Sequence, residues 1–379
     1  MKKLIKMLAL SLCIGTAATL TSCVELVHPK YFSYSLSESS EPALVIEYAE
    51  VGTTEDFVDA ISQGQSVRLT ESLELAPAEE VTETANAAFV IPENAEIHID
   101  LNGKTLSAAA KTENRHYYVF DNYGTVTLTG NGTISGRGVE NFGAMTVENG
   151  VAIEAIDANG GAAIWNEGEL HIKGGMFKAL YAGSSDDEFG PGCLNNQSNA
   201  SVTIDGGIFQ SNNYRTYAII SSGEMTINDA TVISKHGAVA CSDGTTTING
   251  GTFFAAVHYG LYVSDGEATV NGGFFSGDQY KTDVYVDEDG KLTLNGGTMT
   301  NNKIVNLGTI VIETGSSLSV DSIENKENGT VTDNRVVPEE PETPEGGEGE
   351  PEGGEPEGGE PEGGEPEGGE GEGGEGENA

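Results

Sequence analysis

The stretch Ser201-Val202-Thr203-Ile204-Asp205-Gly206-Gly207-Ile208-Phe209 decides how this chain folds. A short alternating run leads into a Gly-Gly bend and then into a second apolar run. Side chains of an extended strand alternate between faces, so Val202 and Ile204 share one side and Thr203 takes the other. Nine residues cannot bury that side alone. Such a unit is stable only when stacked on others of its kind.

The others are present. Upstream stand Thr125-Val126-Thr127-Leu128, Ala144-Met145-Thr146-Val147 and Glu169-Leu170-His171-Ile172. Downstream stand Glu224-Met225-Thr226-Ile227, Thr245-Thr246-Thr247-Ile248, Glu267-Ala268-Thr269-Val270, Lys291-Leu292-Thr293-Leu294 and Thr309-Ile310-Val311-Ile312. Aligned on the last apolar residue of each, most units recur every 18 to 25 residues or so, the period of a solenoid coil. Four positions before that residue stands Gly124, Gly143, Gly168, Gly223, Gly244, Gly266, Gly290 or Gly308, with Ala200 the exception. Six before it stand Asn122, Asn141, Asn166, Ser198, Ser221, Ser242, Ser264 and Asn306, with Glu288 departing. Glycine suits sharp bends and close backbone approach, and stacked Asn or Ser can hydrogen-bond from coil to coil. The Thr-rich, β-branched runs favour strands over helices. The fold class expected is therefore all-β: a parallel β-helix of ten or eleven coils.

With Ile97-His98-Ile99-Asp100-Leu101-Asn102-Gly103-Lys104-Thr105-Leu106 ahead of these repeats, the chain resembles the pectate-lyase-like superfamily of right-handed parallel β-helices, in particular bacterial surface proteins of that group. The resemblance spans residues 44 to 335. It implies the fold and leaves the activity open, because this architecture carries lyases, glycosidases, adhesins and inert spacers.

The exposed strand edge of the first coil needs a cover. Thr53-Thr54-Glu55-Asp56 followed by Phe57, Ala60 and Ile61 reads as a capped amphipathic helix closed by Gly64. Val67 and Leu69 then open the first coil, and Val331 falls in the last.

Both ends of the chain read differently from the body. Lys2, Lys3 and Lys6 precede a short apolar run ending in Leu20-Thr21-Ser22-Cys23, which resembles a bacterial lipobox. That resemblance makes residues 1 to 22 a signal peptide, Cys23 the lipidated first mature residue, residues 23 to 43 a tether, and a cell-envelope membrane a partner through the lipid. From residue 336 on, the chain is Pro-, Gly- and Glu-rich, with 17 Glu and no basic residue between Pro338 and Ala379. A segment so poor in apolar residues cannot offset its ordering entropy and is expected to be disordered.

The formal charge is −42, and −28 remains once the tail's glutamates and the three leader lysines are set aside. An acidic body does not neutralise phosphates, so nucleic acid is excluded as a partner. Outside the leader and the lipid site only Cys193 and Cys241 remain, at a spacing that fits no metal or redox motif. They fall two coils apart and are expected to stay unbridged.

Chemistry is sparse. No cluster of Asp, Arg and Lys announces a catalytic cleft, and loops read as short except at 181 to 192. There Asp186, Asp187 and Glu188 offer carboxylate oxygens of the kind Ca²⁺ takes, against the plainer reading of a solvated loop tip. A second candidate is a stripe: Arg215, His236 and His258 fall at similar offsets on consecutive coils, with Tyr214, Tyr217, Tyr259 and Tyr280 nearby. Basic groups among aromatic rings suit a sugar chain, through hydrogen bonds and ring-face packing. The alternatives are a metal held by the two histidines, a general base with Arg215 as partner, or unrelated loop residues. The expected function is non-catalytic binding or adhesion at the cell surface, to a glycan or a surface protein. A polysaccharide lyase or glycoside hydrolase and a plain spacer are the competing readings.

Overall fold

Each repeat closes into one three-stranded coil, as in Ser201–Ile204, Ile208–Ser211 and Ile219–Ser221. The computed structural model describes residues 46–79, 83–112, 115–156, 161–180, 191–299 and 303–335. Equivalent strands of successive coils pair in parallel and build three sheets of 13, 11 and 11 strands. This is a parallel β-helix. Eleven complete coils run from Val67–Leu69 to Ile323–Asn325, the upper figure of the expected range. Ala49–Val51 adds a strand at the leading edge of the first sheet and Thr330–Asp333 one at its trailing edge. Among the described residues the stack carries one excursion that the repeat pattern hides. Ala110–Thr112 and Arg115–His116 form a small antiparallel ribbon between the second and third sheets, so the loops are not all short outside 181 to 192.

The leading edge is covered as expected. Helix α1 spans Thr54–Ser62, the Thr53 side chain accepts a hydrogen bond from the Asp56 N–H, and Phe57, Ala60 and Ile61 face the core. Gly64 follows with φ +73°.

Inside, like stacks on like. Val202, Ile204 and their counterparts are buried while Thr203 faces out. In the second sheet one inward column runs Ile134, Ile153, Phe177, Phe209, Val232, Phe253, Phe275. Phe177 lies on Phe209 with ring centroids 4.7 Å apart, and Phe253 on Phe275 at 4.8 Å. The glycine column sits where the chain turns from the third sheet into the first. A Cβ on Gly143 would lie 2.2 Å from the Gly124 carbonyl oxygen of the preceding coil. The second glycine of the Gly-Gly bend turns into the second sheet in a left-handed conformation, φ +108° at Gly175.

At the ends of the third-sheet strands from Asp121–Asn122 to Ile219–Ser221 runs a buried amide ladder. The Nδ2 of Asn122 donates to Asn141 Oδ1 at 2.7 Å, Asn141 to Asn166 at 2.7 Å, Asn166 to Asn196 at 2.8 Å, and Asn196 to Ser221 Oγ at 3.1 Å. The same Nδ2 groups of Asn141, Asn166 and Asn196 also reach the next coil's first-sheet carbonyls at Glu169, Ser201 and Glu224. Asn306 and Asn325 resume the ladder near the trailing end. This corrects part of the column read by counting. Asn196, Cys241, Val263 and Val286 hold the ladder position, in place of Ser198, Ser242, Ser264 and Glu288. In those coils the turn back to the first sheet is one or two residues longer. Pairing preserves the inward side chain, and the extra residues loop out. A second, exposed ladder climbs the opposite corner from Asp205 through Asn228, Asn249 and Asn271 to Asn295, each contact 2.7 Å.

Cys193 and Cys241 are free, buried and two coils apart. Burial pushes the Cys193 thiol up to about 12 and raises that of Cys241. Residues 1 to 45, including Cys23, and the tail from residue 336 lie outside the described residues.

Two outcomes follow from this packing. Asn166→Ala takes one acceptor from the Asn141 Nδ2 and the Asn166 donor from Asn196 Oδ1, and removes three donated bonds. Urea unfolding should register a loss of about 3 kcal/mol or more, at about 1–3 kcal/mol per unsatisfied buried group. Asn249→Ala, in the exposed ladder, should stay within about 0.5 kcal/mol. Equal losses at the two positions would contradict the distinction. Iodoacetamide should leave Cys193 and Cys241 unlabelled in the folded protein and label both in guanidinium. Labelling of neither when unfolded would reveal a disulfide.

Candidate functional site

The outer face of the third sheet collects the chain's large rings. Its strands alternate, so the inward ladder residue has an outward neighbour one position earlier. Coil after coil, that outward column reads Asp121, Glu140, Trp165, Asn195, Ile220, Ala240, Tyr262, Tyr285, Val305, Glu324.

Beside Tyr262 and Tyr285, the connections from the second to the third sheet contribute most of the stripe expected from sequence. His236 and His258 stack with ring centroids 4.0 Å apart. Tyr217 meets His236 edge-on at 5.3 Å and lies parallel to Tyr262 at 5.7 Å. Tyr259 stacks on Tyr285 at 4.8 Å, and Tyr280 tilts against His258 at 4.9 Å. Seven rings thus form one connected platform. Gly237 makes room for it, since a Cβ there would lie 2.1 Å from the Tyr217 ring. Tyr214 is not part of the platform, because its ring is capped by the Lys235 ammonium at 3.4 Å. Arg215 stands at its rim, exposed, its N–H donating to Asn213 Oδ1 at 3.0 Å.

Burial favours the uncharged forms of His236, His258, Tyr217, Tyr259, Tyr262 and Tyr285. Burial, and then the neighbouring His258 and Arg215, press His236 down to about 4, and burial lowers His258 as well. Burial raises Tyr259 to about 12 and holds Tyr217 higher still. Tyr262 is raised first by burial and then by the Asp287 carboxylate, to which its hydroxyl donates at 2.7 Å. The two histidines meet ring to ring. Among the described residues no three His, Cys, Asp or Glu side chains converge as a metal site. Asp186, Asp187 and Glu188 lie outside the described residues.

Nearer the leading end the same face carries a group that sequence reading missed. Asp121 and Glu140 are paired positions of adjacent coils, and their carboxyl groups interact. Desolvation, then the neighbouring Asp121 carboxylate, raises Glu140 to about 8. The Arg137 guanidinium lies over the Tyr118 ring, 5.1 Å from its centroid. Trp165 follows Glu140 in the column, with its indole Nε1 donating to Glu167 at 3.0 Å. Tyr123 and Phe142 stack at 4.7 Å on the turn side. These residues lie about 50 to 100 positions before Tyr217, the first ring of the Tyr–His stripe. Only the outward alternation of the third-sheet strands joins them to it.

Comparison of the chain with protein-family models, curated proteins and solved structures returns no match.

Glu140 fixes a pH dependence. In the folded chain it keeps its proton to about pH 8, whereas the ordinary value is 4.5. The folded protein binds more protons in that window, so this group's contribution is present below pH 4.5 and is lost as pH rises through 8. Glu140→Gln should remove that slope. Its melting temperature at pH 8 should exceed that of the wild type by roughly 2–4 °C, the shift that about 1 kcal/mol gives a domain of this size. Melting curves of the two proteins that stay parallel from pH 5 to pH 8 would refute the assignment.

Proposed function

We propose that the chain is a cell-envelope lipoprotein, anchored at Cys23, that binds a glycan on the outer face of its third sheet without cleaving it. The observation that carries the reading is the ring platform Tyr217–Tyr262–Tyr285–Tyr259 with His236, His258 and Tyr280. Rings with apolar faces and polar edges match a sugar, which presents C–H faces and hydroxyl rims. Contacts between the rings hold the surface in shape before a ligand arrives, which limits the ordering penalty on binding. A spacer has no use for such a platform. The pectate-lyase-like resemblance is compatible with binding, since that architecture serves adhesins as well as enzymes.

A hydrolase reading would start from Asp121 and Glu140. Glycosidases set their two carboxyl groups about 5 to 9.5 Å apart, leaving room for the sugar or a water. Here the two groups stand at directly paired positions of adjacent coils, about 4.8 Å apart along the stack, which favours a polar contact surface over a catalytic pair.

The test is a glycan array followed by titration calorimetry on the best hit. Tyr262→Ala should weaken that hit about tenfold, because an aromatic contact is worth about 0.5–1.5 kcal/mol beyond its buried area. Thr247→Ala, on the outer face of the first sheet, should leave it unchanged. Binding untouched by Tyr262→Ala would dismiss the platform, and new reducing ends after long incubation would replace binding with catalysis. For the anchor, an alkyne fatty acid fed to cells should label the wild type and not Cys23→Ser.

A further inference from the structure

The glycan reading leaves open what kind of chain is bound and how it lies. We propose that the ligand is an uncharged polysaccharide laid along the solenoid axis, held at the tyrosine–histidine platform and again at Trp165. The inference rests on the glycan reading and narrows it.

The direction comes from the register. Trp165, Asn195, Ile220, Ala240 and Tyr262 occupy one outward column on successive coils. Each coil advances about 4.8 Å, close to the rise of one hexose in an extended glycan. Trp165 and Tyr262 are four coils apart, or about 19 Å. A chain along the axis runs from the platform to Trp165, whereas a chain lying across the platform, over His258, Tyr259 and Tyr262 of one coil, does not reach Trp165. Between the two anchors the column carries smaller side chains, Asn195 and Ile220 half-buried and Ala240 buried. Trp165 is fit for an anchor because its indole is pinned by the 3.0 Å bond to Glu167.

The charge class comes from what surrounds the column. Asp121 and Glu167 stand about Trp165, with Glu140, which keeps its proton, and the Arg137 guanidinium beside them, and Asp287 sits on the Tyr262 hydroxyl. The nearby lysines are engaged: Lys235 on the Tyr214 ring, and Lys281 with Asp278 at 2.8 Å. Arg215 stands at one rim and is also engaged. A uronate chain would place a carboxylate on every coil against this acidic surround. An uncharged chain offers hydroxyls, which carboxylates accept from well.

The experiment is titration calorimetry of the full chain with neutral cello-, manno- and xylo-hexasaccharides, their trisaccharides, and hexagalacturonate as the charged control of equal length. The expected result is a neutral hexasaccharide binding at least tenfold tighter than its trisaccharide, with hexagalacturonate not binding. Trp165→Ala should bring the hexasaccharide down to the affinity of the trisaccharide and leave the trisaccharide unchanged. Trp165→Phe, which keeps a ring, should restore part of the difference, and the Trp165→Ala protein should keep the wild-type circular dichroism spectrum. Hexagalacturonate binding as tightly as the neutral chain would overturn the charge class while leaving glycan binding intact. A hexasaccharide affinity unaffected by Trp165→Ala would overturn the second anchor. If no saccharide of either kind binds, the glycan reading itself fails and takes this inference with it.

Discussion

Every side chain of this fold lives about 4.8 Å from the equivalent side chains of the coils above and below. Coil-to-coil parallel pairing imposes that spacing, and the rest of the molecule is an answer to it. In the core the answer is identity or near-identity: Phe209 on Phe177, Phe275 on Phe253. A buried polar group is tolerated only where its neighbour can complete it, and the primary amide of asparagine does so in both directions. It accepts from the coil before and donates to the coil after, so Asn141, Asn166 and Asn196 are fully buried and bonded. On the outside the same spacing selects alternating charge, as in Glu154 with Lys178 and Glu267 with Lys291. Each such exposed pair contributes at most about 1 kcal/mol. Their role is to avoid stacking like on like.

The candidate site lies where that avoidance is dropped. Tyr262 and Tyr285 occupy one column on neighbouring coils and Tyr259 slides between them, so that rings share faces in a layer. Asp121 and Glu140 are two acids on neighbouring coils, and the repulsion is relieved by a proton retained on Glu140. Both exceptions lie on the third sheet. Its connections from the second sheet vary most between coils, and there the repeat can take on rings.

Much of this fold is legible in the sequence because the repeat is short-range. Val202, Ile204 and Phe209 announce their faces by alternation, and Thr53 with Phe57, Ala60 and Ile61 announces the cap. The Asn ladder is legible only where the turn has two residues, as at Asn122, Asn141 and Asn166. At Asn196 or Cys241 the turn lengthens, and a count from the apolar residue lands on Ser198 or Ser242, which loop out. Counting along the chain cannot see a register that hydrogen bonds enforce across it. The site divides in the same way. His236, His258 and Tyr259 recur at a readable offset, whereas Tyr262 and Tyr285 look like ordinary strand residues until their outward column is known. Asp121 and Glu140 are 19 residues apart and match no motif, because their meeting is purely a consequence of stacking.

The central claim is that one face of the solenoid, and no other, receives an extended ligand. Hydrogen–deuterium exchange with and without a saturating neutral polysaccharide tests it most directly. The account predicts slowed exchange in residues 161–166, 215–220, 235–241, 256–263 and 278–286, with the threonine-bearing strands of the first sheet unchanged. Protection centred on Thr203, Thr226 and Thr247, or spread evenly over all three sheets, would contradict it.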